Sequence, residues 1–170
     1  MASVTEWFGR KFAHDLSLEM YPNVLARLRG TPARLEELLR GLSQEALTRR
    51  HDNKWSIQEQ AGHLWDLEDL WLKRLDDFQP EPTVMTAADL QNRKTHEAGH
   101  NERDLTEILS GFRALRTEFV ARMEQFDEGI IGRTALHPRL QTPMRVIDHG
   151  FFVAEHDDHH LATIWELKRS

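Results

Sequence analysis

The residues best placed to do chemistry lie near the C-terminal end, in the stretch FFVAEHDDHHLATIW from Phe151 to Trp165. On a helix turning ~100° per residue, His156 and His160 are about 40° apart and rise about 6 Å. They stand one above the other on a face that also carries Phe152, Val153, Ile164 and Leu167, which turns them toward a core. Asp157 and Asp158 point elsewhere, as does Glu155, which gives no reason to treat it as a general base. Two inward imidazoles at i, i+4 is the spacing by which one helix gives two ligands to one metal ion. His149 shares the face but lies about 10 Å along the axis from His156, too far for bonds of ~2.0–2.1 Å to one ion. His159 could replace His160 only if the helix were rotated. A third ligand must come from another element. His63 is the candidate, since it sits in an apolar stripe with Leu67, Leu70 and Trp71. The bland reading of each histidine is a hydrogen-bonded core residue, and spacing alone does not choose between the two.

Positioning such a cluster takes helices, and the chain supplies four amphipathic patterns. The first spans about 20–42, with an expected break at Gly30-Thr31-Pro32, where Thr31 would cap and Pro32 would open a new helix. The second starts at Ser56, which forms an S-x-x-E capping box with Glu59, and ends before Pro80 and Pro82. A polar stretch over about 79–103 has room for a short helix capped by Thr86, with Asp89 three residues on. The third helix covers about 104–126 through Leu105, Ile108, Phe112, Phe119 and Met123. After a loop over 127–142, which contains His137, Thr142-Pro143 repeats the cap-plus-proline signal and opens a fourth helix reaching about Leu167. No segment alternates as a strand. The pattern predicts an all-α four-helix bundle in a single domain over residues 1–170.

Composition narrows the function classes. The 170 residues hold 22 basic against 28 acidic side chains, a net charge of −6 with no polybasic face, which argues against nucleic-acid binding. No apolar run approaches the ~20 residues of a membrane span, and the first residues lack the apolar core of a signal peptide, so a cytoplasmic protein is the default expectation. With no cysteine present, there is neither a thiolate ligand nor a cysteine nucleophile. Asp66, Glu59 and Asp157 are the carboxylates that could accept from the outer nitrogens of the ligating rings.

The stretch KWSIQEQAGHLWDLEDLW, Lys54 to Trp71, resembles the second-helix signature of the DinB-like (YfiT-like) superfamily. AEHDDHHLATI, Ala154 to Ile164, resembles its fourth-helix signature, and RLRGTPARLEELL resembles its first helix. The resemblance spans roughly residues 20–167. It implies up-down-down-up wiring with a long crossover between the second and third helices, and a three-histidine site of His63, His156 and His160. It further implies a divalent metal ion, nickel or zinc, and a homodimer. Relatives include small-thiol S-transferases and proteins called metal-dependent hydrolases, so the expected substrate is a small molecule, with a low-molecular-weight thiol as one candidate. His137-Pro138 resembles a loop motif of some members, against the plainer reading of a surface histidine beside a turn proline. Three neutral ligands leave a coordination position open for water or thiolate, as catalytic sites do. The alternatives are a non-catalytic stress-response or binding module steadied by its metal, and a helical dimerisation protein whose histidines are all core.

Overall fold

The computed structural model describes residues 4–52 and 54–169. In chain order the elements are α1 (Tyr21–Leu39), α2 (Gln44–Thr48), α3 (Ile57–Leu75), β1 (Thr83–Val84), α4 (Arg93–Glu97), α5 (Leu105–Glu124), α6 (Glu128–Ile131), β2 (Thr134–His137), β3 (Thr142–Arg145) and α7 (Val146–Lys168). The long helices α1, α3, α5 and α7 form the bundle. Helix α1 packs on α5 and α7, and α3 packs on the same two.

Contacts along the helices set their directions. Thr31 meets Asp157 while Lys168 reaches the Leu38 carbonyl, so α1 and α7 run parallel. Glu68 meets Arg116 while Arg122 reaches the Leu72 carbonyl, so α3 and α5 also run parallel. Tyr21 donates to the Met123 carbonyl, which sets α1 against α5. The wiring is up-down-down-up, with the crossover between α3 and α5.

Two apolar layers fill the bundle. One is built around Leu28, Trp71, Phe119, Met123 and Val153, the other around Leu35, Leu64, Ile108, Phe112, Leu161 and Ile164. Between them in every helix falls a polar position: Thr31, Glu68, Arg116 and Asp157. Arg116 donates to Glu68 through Nε at 3.1 Å and Nη2 at 2.6 Å, and to both oxygens of Asp157, while Thr31 Oγ1 lies 2.9 Å from Asp157 Oδ2. Burial alone would lower the Arg116 pKa, but the two carboxylates push it upward, so the guanidinium stays charged.

Helix α1 does not break at Gly30-Thr31-Pro32. It continues through Pro32, and Thr31 serves the buried polar layer rather than a cap. Pro32 has no N–H to give the Leu28 carbonyl. Arg116 Nη1, at 3.5 Å, supplies a long substitute donor from α5.

The expectation of no strands is also corrected. The three-stranded sheet has the order β1-β2-β3, parallel then antiparallel. Thr142-Pro143 belongs to β3 rather than to a helix cap; α7 starts after Arg145, whose N–H is taken by Asp148. Pro143 is tolerated because β3 is an edge strand. Thr86 caps no helix: its N–H goes to Asp77, and Asp89 takes the N–H groups of Gln91 and Arg93 ahead of α4. Among the described residues no helix is long and apolar enough to cross a membrane.

Candidate metal centre

Helix α3 begins with the expected capping box, Ser56 Oγ taking the Glu59 N–H and the Glu59 carboxylate taking the Ser56 N–H. Two turns on, His63 faces α7. The two helices are antiparallel neighbours, so His63 meets His156 and His160 across the bundle. The three side chains are buried, and one ring nitrogen from each lies within 4.8 Å of the others. His160 Nε2 is 3.1 Å from His156 Nε2. Two ligands at tetrahedral positions ~2.0 Å from one ion would stand about 3.3 Å apart, so the spacing suits a small divalent cation. Among the described residues no other group of three or more His, Asp or Glu side chains gathers in this way. His159 is not in the group, and His149 is packed against Trp71, Phe78 and Phe119.

The outer ring nitrogens show how the rings are aimed. His160 Nδ1 donates to Gln60 Oε1 at 2.6 Å, leaving Nε2 as the lone-pair nitrogen. His63 Nδ1 lies 3.0 Å from Thr95 Oγ1, and Thr95 Oγ1 donates to Asp66 Oδ2 at 2.9 Å. Thr95 has one proton, which Asp66 takes, so His63 must donate from Nδ1 and keep Nε2 bare. His100 Nε2 donates to the same Asp66 oxygen at 2.8 Å. Burial would raise Asp66, but the hydrogen bonds from His100 and Thr95 outweigh it and hold the carboxyl below its usual range. His156 Nδ1 has no hydrogen-bond partner among the described residues; its ring lies 5.0 Å from Trp7 and 5.7 Å from Trp71.

Burial favours the neutral form of all three imidazoles, the form able to ligate a metal. It is the main cause of their shifts, pushing His63 down to about 4 and His156 and His160 well below the ordinary histidine value. His63 and His160 turn bare nitrogens inward, and without an ion the single N–H of His156 can answer at most the one on His160, 3.1 Å away, which makes a poor core. The donor set fits a divalent metal ion.

Of the carboxylates expected to steady the rings, Asp66 does so, through Thr95. Glu59 is committed to Ser56 and Arg50, and Asp157 to Arg116 and Thr31. Gln60, Thr95 and His100 went unnoticed in the sequence. Gln60 lies one turn before His63 and could have been found; Thr95 and His100 arrive on the crossover, which Gln58 pins to α3 through the carbonyls of His100 and Arg103. Gly62 is required here, because a Cβ would meet the His100 ring at 2.3 Å.

The imidazoles open onto a cavity of about 680 Å³ lined by Trp7, Trp55, Leu67, Trp71 and Phe152, among others. His137, expected as a loop residue with only a weak claim to the site, is buried and lines the same cavity. Burial and the neighbouring Arg74 lower its pKa to about 3.

The fold and this cluster together define a bundle whose long crossover and last helix close over a buried three-imidazole pocket. The chain belongs to the DinB superfamily, whose family model matches residues 27–164. Among solved structures it is similar to YfiT from Bacillus subtilis, a protein described as a probable metal-dependent hydrolase with an unusual four-helix bundle topology. The two are 21% identical, with a TM-score of 0.80 over 94% of this chain and 92% of that one. No curated protein matches the chain.

Proposed function

We propose that His63, His156 and His160 hold one divalent metal ion, nickel or zinc, and that the chain is an enzyme acting on small molecules as a hydrolase or small-thiol transferase. The observation that carries this reading is the convergence of three neutral imidazoles, their ring nitrogens within 4.8 Å, at the inner end of an apolar cavity. An ion bound there supplies a Lewis-acid centre that makes a water or thiol in its open position more acidic. Gln60 and the Thr95–Asp66 pair hold the rings in the right tautomer. Trp7, Trp55 and Trp71 keep bulk water from the reacting end. Any attacking thiol belongs to a cosubstrate, since the chain has no cysteine. The description of YfiT favours hydrolysis over transfer. The family resemblance adds a homodimer in the cytoplasm, which sedimentation velocity and cell fractionation check.

The test is elemental analysis of purified protein and of His160→Ala, followed by assays of the metal-loaded form on activated esters and amides and on electrophiles supplied with small thiols. Near-stoichiometric nickel or zinc in the parent, lost in the variant, together with turnover that follows metal content, supports the reading. Absence of metal from both proteins after growth with added nickel and zinc removes it.

A further inference from the structure

Arginines that are buried or half-buried in this fold mostly find a carboxylate: Arg27 meets Glu155 and Asp158, Arg116 meets Glu68 and Asp157, Arg145 meets Asp148. Two arginines lining the cavity do not. Arg74 is 1% exposed, yet its hydrogen-bond partners among the described residues are both uncharged: the Thr86 carbonyl at 2.9 Å and His137 Nε2 at 3.3 Å. Its guanidinium stacks 5.3 Å from the Trp71 ring. Arg139 stacks 5.2 Å from Phe8, and its buried Nη2 has no hydrogen-bond partner among the described residues. Among the described residues no acid lies within ion-pair distance of either. Asp77 attracts Arg74 only from farther away, its carboxylate being taken by the Thr86 N–H. The cavity's own acids are partly engaged: Asp89 holds Arg93 and Glu166 accepts from Val4. A buried guanidinium without an anion is costly and is normally neutralised or paired. Burial lowers Arg74 to about 10, which still leaves it charged at neutral pH.

Position supplies the rest. His63, Leu67, Trp71 and Arg74 follow one another along α3 and all line the cavity. His63 and Arg74 are eleven residues apart, about 16 Å along the axis before their side chains reach toward each other. Between them the wall is apolar, formed by Leu67, Trp71 and Phe152.

We infer that Arg74 and Arg139 form an anion subsite, so that the substrate is a small elongated molecule carrying a carboxylate, sulfonate or phosphate at the end remote from the reacting group. The anion lies in the fork of Arg74, Arg139 closes over it, and the apolar middle spans Leu67 and Trp71 toward the three imidazoles. This rests on the proposed metal site only for which end reacts; the arginines and the cavity are independent of it.

The test uses 6-mercaptohexanoate and 6-mercaptohexan-1-ol, equal in length and different in charge. Each is titrated into metal-loaded and chelator-treated protein while the cavity tryptophans report binding by fluorescence. The acid should bind at least tenfold tighter than the alcohol in both forms. In Arg74→Gln the two should fall within twofold of each other, and in Arg139→Gln the advantage should shrink at least threefold, with alcohol binding unchanged in each. Equal binding of acid and alcohol by the parent protein overturns the proposal, as does an advantage that persists in both variants. If Arg74→Gln does not fold, Arg139→Gln decides alone, and an undiminished advantage there overturns it. A preference for the acid in protein that takes up no metal would sink the metal reading and leave the subsite standing; metal uptake without the preference would do the reverse.

Discussion

Arg74 and Arg116 are the same residue type, on neighbouring helices, each 1% exposed, and their surroundings are opposite. Arg116 is gripped by Glu68 on α3 and Asp157 on α7, and Asp157 is steadied by Thr31 on α1. It ties all four long helices together where the apolar layers meet. Arg74 has a backbone carbonyl, an imidazole and a second cation, Arg139, whose buried Nη2 has no hydrogen-bond partner among the described residues. A charge satisfied inside the fold belongs to the architecture. A charge left facing a cavity is held for something that enters from outside.

The contrast is broken most directly at Arg116. Arg116→Met leaves two buried carboxylates facing each other without a cation, and should lower unfolding free energy by about 3–5 kcal/mol in urea titrations. A loss below about 1 kcal/mol would deny it the architectural role. His160→Ala, which removes an imidazole from the cluster, should weaken nickel or zinc binding by more than ~100-fold in chelator competition, a larger effect than that of any outer partner. Thr95→Val, which removes the acceptor for His63 Nδ1, should weaken metal binding by about 10–100-fold while the bundle stays folded. An unchanged affinity would make the Asp66–Thr95 arrangement merely structural. Arg74→Met, read against Arg116→Met, should change stability by less than about 1 kcal/mol or even raise it, because it removes an unpaired buried charge and keeps an apolar stem in place.

The smallest effect is a pH dependence at Glu59 and Asp66. At Glu59 burial opposes ionisation, yet Arg50 and the Ser56 N–H win and lower its pKa; Asp66 is lowered in the same sense by His100 and Thr95. Both folded pKa values lie below the unfolded ones of about 4. Their contribution is therefore fully present above pH ~4 and is lost as pH falls through the folded values. Glu59→Gln should flatten the acid limb of the stability profile below pH ~4, measured by thermal unfolding across pH; an identical limb in parent and variant contradicts the assignment.

What the sequence disclosed is what neighbours in the chain decide. The Ser56–Glu59 box, the ends of α5 and the His156–His160 pair all depend on residues within one or two turns. His63 is legible as a candidate because an apolar stripe with one imidazole in it stands out, and the structure brings that imidazole to the pair. The failures share a different cause. Pro32 signals a break, and a guanidinium from α5 overrides it. Thr142-Pro143 signals a helix start, and pairing with β2 makes it a strand of four residues, too short for alternation to show. Thr95 and His100 come from a polar crossover whose path is set by contacts with α3. Arg74 reads like any basic residue in the last turn of a helix until the sheet and the Trp71 ring close around it.

The repair of α1 at Pro32 reaches beyond the native state. Where its ladder has a missing rung, the donor for the Leu28 carbonyl belongs to α5, more than eighty residues later in the chain. That one contact therefore cannot form until α5 has been synthesised and docked. A peptide of α1 alone should be less helical around the proline than the same segment in the intact protein, a difference that circular dichroism of the peptide checks.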